Sequence, residues 1–253
     1  VQAFFREDSD MMTAPSDMMT APQAGDSDQT AVVLLAHIAD ASRLWGWSRI
    51  VRGPRAMRGI PGLLFSKVLG SGYEGGFNLR PSASRQGVFA VFESFQAAQN
   101  FIADSELVHA YQSRSDEFCC VTLKTWSCRG SWDGVSLKVA TQPPAQGPVA
   151  ALTRASIHFS KAHAFWRHAP ASQTALEGVD GCQLAVGLGE APLFRQATFS
   201  IWDGVKEMNA YAQTGSHLQA IQAAHQHRYF SESMFARFVP LKVQGQWLGK
   251  HYA

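Results

Sequence analysis

VFAVFES (Val88–Ser94) and ATFSIWDG (Ala197–Gly204) are two runs of one kind: inner and outer side chains alternate, and an aromatic residue closes each. A period of two predicts a half-buried antiparallel strand. Each run leads into an amphipathic helical segment, FQAAQNFIADSELVHAY (95–111) and VKEMNAYAQTGSHLQAI (205–221). Working outward, the surroundings match as well. Strand-like AVVLLAHI (31–38) and VAALTRASI (149–157) open the two halves. Trp-bearing helical stretches follow, ASRLWGWSRIV (41–51) and KAHAFWRHA (161–169), and then LLFSKVLGSG (63–72) and CQLAVGLGEA (182–191). FCCVTLKTW (118–126) and ARFVPLKVQGQW (236–247) close them. The order in both halves is β-α-β-β-α-β, the ferredoxin-like unit. A single such sheet has a bare face, so two in one chain are expected to pack face to face as an α+β barrel. The fold class is therefore α+β, with tandem ferredoxin-like repeats; the plainer alternative is two independent small domains.

Four segments follow from this reading: a low-complexity tail (1–30), a first ferredoxin-like domain (31–140), a linker (141–147) and a second domain (148–253). The tail repeats SDMMTAP in tandem at 9–15 and 16–22, a polar, Pro-containing pattern that predicts disorder. The break at ATQPPAQGP (140–148) is rich in Pro. With 253 residues, 46% hydrophobic and 17% charged, the chain is too apolar for a disordered protein and too poor in charge for a coiled coil. No apolar run reaches the ~20 residues that span a bilayer. Six acids and Arg6 fall in the first thirty residues, which leaves the body mildly basic. That excess suits an anionic surface but does not argue for nucleic acid. The cysteines 119, 120, 128 and 182 form no C-x-x-C. With no secretory pattern at the start, they point to a reducing cytoplasm. Cys119 and Cys120, adjacent on a strand, are expected to be one core and one surface thiol. No G-x-S-x-G, P-loop or H-E-x-x-H string supports hydrolase or kinase chemistry.

Several stretches carry a family resemblance. KVLGSGYEGGFNLRP (67–81), RGSWDG (129–134), PVAALTRASI (148–157), GLGEAPLFRQATFSIWDG (187–204), TGSHLQAI (214–221) and ESMFARF (232–238) are similar, in this order, to the spheroidene monooxygenase family. The resemblance covers 31–253. It implies a monooxygenase that introduces oxygen at C-2 of acyclic, spheroidene-like carotenoids in carotenoid biosynthesis. O2, reducing equivalents from an external donor such as a ferredoxin, and haem iron are implied with it.

Oxygen insertion into a C–H bond needs a cofactor that activates O2. No G-x-G-x-x-G opening a helix favours flavin, and His225 and His227 would point about 200° apart on a helix. Haem b is the economical choice. His217, after the cap candidate Ser216, is the expected axial ligand, because a helix N-terminus keeps imidazole neutral; His225 is the runner-up. Leu107 takes the matching place in the first half, so one haem per chain is expected. Arg154, Gln196 and Trp202 are the candidate catalytic residues if their strands turn them into the barrel, with Arg154 also a partner for a haem propionate. The competing readings are an exposed edge Arg, a solvent-facing Gln and a core Trp. A non-catalytic haem- or lipophile-binding protein and a cofactor-independent oxygenase are the alternatives in function.

RLWGWSRIVRGPRAMR (43–58) carries five Arg and no acid, with Trp45 and Trp47. It suits peripheral contact with an inner or photosynthetic membrane. The competing reading is a helix that packs its Trp residues on the sheet.

Overall fold

The computed structural model describes residues 27–73, 81–163, 179–191, 194–213 and 229–252. Residues 1–26 and the two histidines named as haem ligands lie outside them, whereas Thr30, placed in the tail by the sequence reading, already opens β1. Nine strands form one sheet: β1 (Thr30–Ile38), β2 (Leu63–Gly72), β3 (Pro81–Phe92), β4 (Ser115–Gly130), β5 (Val149–Ile157), β6 (Cys182–Ala191), β7 (Arg195–Trp202), β8 (Phe230–Trp247) and β9 (Lys250–Tyr252). Their order is β4-β1-β3-β2-β6-β7-β5-β8-β9, and a further β4–β8 pairing closes β1–β8 into an antiparallel barrel. The described helices are α1 (Arg43–Arg52), α2 (Phe95–Asp104), α3 (Glu106–Ser113) and α4 (Val205–Ala212). Ser94 and Ser105 start α2 and α3 by accepting from the backbone N–H of Ala97 (3.1 Å) and Leu107 (3.2 Å).

The first four strands lie in the order β4-β1-β3-β2 and the next four in the order β8-β5-β7-β6. This is the same arrangement with a different starting point. Two unequal seams join the halves. One is the long β4–β8 ladder from Cys119↔Gly245 to Gly130↔Met234; the other is the short β2–β6 pairing Gly70↔Gly189 and Ser71↔Leu188. Strand alternation then sorts the side chains. Val33, Leu35, Phe89, Val121, Leu152, Phe199 and Phe238 fill the lumen, so both halves share one interior core. Val32, Leu34, Val88, Phe92 and Cys120 face outward beneath the helices of the first half. Val149, Trp202 and Met208 do so in the second. The linker boundary divides the sequence but not this core.

Cys119 and Cys120 do point to opposite faces, yet both are buried, one in the lumen and one under the helices. A barrel wall with helices outside has two interiors, and the expected surface thiol is absent for that reason. Burial pushes both thiols up to about 12.

Each half ends by plugging the barrel. Asp133 and Gly134 have φ of 49° and 77°, and Leu248 and Gly249 have φ of 51° and 75°. Both pairs are therefore tight turns with two left-handed residues. Trp132 and Trp247, each just before its turn, are buried in the lumen core. Gly130 and Gly245, two residues earlier, cross the opposite half so closely that a Cβ would lie 2.0 Å from the carbonyl oxygen of Ser233 and 2.1 Å from that of Phe118. A carboxylate from the other half caps each turn. Glu232 accepts from Gly134 N–H at 2.9 Å; Glu117 accepts from Leu248 N–H at 3.1 Å and Gly249 N–H at 2.7 Å. The shared G-x-W-x-G string was present in the sequence as a repeat signal beyond those used above.

Candidate functional site

Arg154 stands on β5 where the first half has Leu35: Leu152 and Val33 each face the matching phenylalanine of the neighbouring strand, and Arg154 and Leu35 lie two residues further on. It is 1% exposed, which removes the exposed edge reading. A buried guanidinium needs anions, and the fold supplies them. Arg154 Nη1 donates to Glu232 Oε2, Nη2 lies 3.6 Å from Asp133 Oδ1, and the guanidinium sits over the Trp132 ring at 5.5 Å.

Lys67 continues the cluster. Its ammonium, almost fully buried, contacts Asp133 and donates to Glu190 Oε2 at 3.2 Å. Trp132 Nε1 donates to Glu190 Oε1 at 2.5 Å, and Arg195 reaches Glu190 Oε2 at 3.1 Å. The Trp132 ring stacks on Phe89 at 5.6 Å. Burial raises the Glu232 pKa, but the N–H of Gly134, the Ser131 hydroxyl, Arg154 and the N–H of Asp133 outweigh it and hold the carboxyl at about 2. Three cations thus face three carboxylates from β2, β5, β6, β7, β8 and the first plug. The arrangement can lock the two halves together by pairing these charges with one another, and it leaves Arg154 Nε and Nη2 buried without a hydrogen-bond acceptor. A depression of about 330 Å³ lined by Pro54, Leu63, Leu64, Phe65, Ser66, Lys67 and Asp133 opens beside it.

Gln196 and Trp202 do not join Arg154. Their parity on β7 is opposite to that of Ala197, Phe199 and Ile201, which face the lumen, so both lie on the outer wall. The expectation that all three share the interior fails, because Arg154 sits on the lumen parity of its strand. Trp202 is core, as the competing reading had it: 2% exposed, against Tyr211, with its Nε1 donating to Ser200 Oγ at 2.9 Å.

Among the described residues, the outer walls of the two halves also differ. In the first half three adjacent rungs read Val32–Ala90–Ser66, Leu34–Val88–Val68 and Ala36–Gln86–Gly70 across β1, β3 and β2. All but Gly70, which is half-buried, are buried under helices. The matching rungs of the second half read Ala151–Ser200–Ala185, Thr153–Thr198–Gly187 and Ala155–Gln196–Gly189 across β5, β7 and β6. Val, Leu, Val and Val have become Ala, Thr, Thr and Gly. Ala151, Thr153, Thr198 and Ala185 remain half-buried. The described wall of the second half thus carries a floor of small side chains where the first half has branched ones, with Gln196 at one end and Trp202 at the other, although Ala155, Gly187 and Ser200 are themselves buried. In side-chain size alone, the described residues at these rungs would admit a flat group such as haem. Among them no cluster of three or more His, Cys, Asp or Glu has the arrangement of a metal site. Leu107 packs against the outer core of the first half. Sequence reading named Gln196 and Trp202 but missed Thr153, Thr198, Gly187, Lys67, Glu190, Asp133 and Glu232. Aligning the halves rung by rung would have exposed the first three.

An antiparallel α+β barrel of this kind is also seen in aldoxime dehydratase, with a TM-score of 0.53 at 8% identity over 84% of this chain and 81% of that one. A butyraldoxime complex of an aldoxime dehydratase gives 0.52 at 9% identity, over 86% and 81%. That likeness defines the fold class. No family model matches the sequence. Whole-chain comparison is more specific. The chain is 54% identical over 231 residues to the spheroidene monooxygenase of Rubrivivax gelatinosus, covering 91% of this chain and 90% of that protein. It is 34% identical to that of Rhodobacter capsulatus, covering 81% and 87%. The chain belongs to the spheroidene monooxygenase family, and it is an oxygenase enzyme. Lys67, Asp133, Arg154, Glu190, Arg195 and Glu232 each lie in a stretch that carries the resemblance, and the fold gathers them at one end of the barrel.

Proposed function

We propose that this chain oxygenates acyclic, spheroidene-like carotenoids at C-2, using O2 and reducing equivalents, on the outer wall of its second half. The family supports the substrate class, since its relatives are named for spheroidene. The contrast between the filled wall of the first half and the small-residue wall of the second carries the location. The shared strand order and the paired Trp plugs support tandem ferredoxin-like halves. Haem b is the proposed cofactor; when bound it supplies O2 activation and one-electron chemistry. His217 is its proposed ligand, with His225 next, and an external ferredoxin-type protein is the proposed donor. Thr153, Thr198 and Gly187 keep the floor low, Gln196 stands at its rim, and Trp202 closes one end. Arg154 is withdrawn from the propionate role: its guanidinium is on the opposite face of the wall and already holds Glu232.

The test is the absorption spectrum of purified wild-type protein beside His217→Ala, reduced with and without CO. It is followed by assay for a C-2-oxygenated product in cells that make a linear carotenoid. A haem band lost in the variant, together with oxygenated product, supports the reading. Product formed by protein without a haem band favours a cofactor-independent oxygenase. A haem band without product leaves a binding protein.

A further inference from the structure

We infer that the solvent face of α1, with the turn that follows it, is a docking surface for an anionic lipid bilayer. The inference concerns where the protein docks and goes beyond the reading of its reaction. On α1, at 100° per residue, Gly46 and Ile50 point to the sheet. Trp45 is held sideways against Tyr111, ring centres 5.0 Å apart. The opposite ridge is Leu44, Trp47 and Val51, and these are 87%, 43% and 83% exposed. A surface helix normally turns polar residues to water. Helix α2 presents Gln96, Asn100 and Asp104, with Phe95 at its start 39% exposed, and α3 presents Glu106, His109 and Gln112. Only α1, among the described helices, puts an apolar stripe at its most exposed line.

The charges say what would cover it. Arg43 and Arg52 flank the stripe, and Arg55 and Arg58 extend it; all four are exposed. Arg49 is partly spent over the Trp45 ring at 5.4 Å. The segment 43–58 contains no acid. Nearby, Asp40 neutralises Arg43 at 2.6 Å. An apolar ridge with a Trp, bordered by Arg52, Arg55 and Arg58, for which the described residues show no ion pair, matches the apolar interior and anionic headgroups of a lipid surface. No described helix is long and apolar enough to cross a membrane, so the contact made here is one of lying on the surface.

The test is flotation of the full chain with vesicles of phosphatidylcholine alone or mixed with phosphatidylglycerol, at low salt and at about 0.5 M salt. The variants are R52E/R55E/R58E and L44S/V51S. These side chains are exposed, so circular dichroism and thermal melting are expected to stay unchanged. Wild type is expected to float with the anionic vesicles and to release in high salt. Each variant is expected to bind at least about tenfold more weakly. No flotation of wild type, or equal flotation of wild type and both variants, overturns the proposal. A wild-type dimer that both variants convert to monomer, without flotation, also overturns it and gives the face to a second copy of the chain.

Discussion

Glu232 is the residue on which the barrel closure turns. It accepts from the first plug, across the halves, and from Arg154 within its own half. Its carboxyl titrates near 2 when folded, below the ordinary 4.5. A depressed carboxyl contributes stability that is present above pH 4.5 and lost as pH falls toward 2. Denaturant titrations from pH 7 to 2.5 should show that loss, and Glu232→Gln should flatten it. At pH 7 Glu232→Gln leaves Arg154 buried without its main anion, and a cost of about 3–5 kcal/mol is expected. Adding Arg154→Leu, which restores the residue type of Leu35, should recover much of it; a double variant as unstable as the single one would refute the pairing argument. The glycines separate in the same way. Gly130→Ala meets the Ser233 carbonyl at 2.0 Å and should cost more than about 3 kcal/mol, while Gly134→Ala meets open space and pays only for its φ of 77°, about 1 kcal/mol. Equal effects on urea midpoints would contradict the close crossing.

Among elements, the outer wall of β5, β6 and β7 is the proposed site. Replacing Thr153 with Leu and Gly187 with Val copies Leu34 and Val68 of the first half. The double variant is expected to keep its melting temperature or raise it, while the haem band and the oxygenated product fall by at least about tenfold as the floor rises into the ligand's space. Retained activity in a folded double variant would move the site elsewhere. This wall was half legible. Gln196 and Trp202 could be picked out from ATFSIWDG, but their direction could not, because alternation fixes two faces without saying which one lines the lumen.

For the whole molecule, the lumen core draws on both halves and two seams hold them. Neither half can bury its inner face alone. Cutting the chain within 141–147, where the backbone is largely exposed, is expected to leave both fragments eluting together at the mass of the intact chain with an unchanged spectrum. Each half expressed alone should aggregate or pair with itself. Two fragments that separate as stable monomers would refute a shared core.

The sequence by itself determined the order of β1–β8 and the family, because these depend on local periodicity and on words that survive in one dimension. It also marked Arg154 as anomalous in an apolar strand. Only the tertiary structure decided what Arg154 meets. Glu232, Asp133, Glu190 and Lys67 are scattered along the chain and come together because the barrel closes and Trp132 plugs it. Only the structure showed that both adjacent cysteines are buried, since a wall between two cores has no wet side. It also placed Leu44, Trp47 and Val51 on the outside of α1. The sequence pattern gives a helix with two apolar stripes, and only packing against the sheet chooses which one is left facing water.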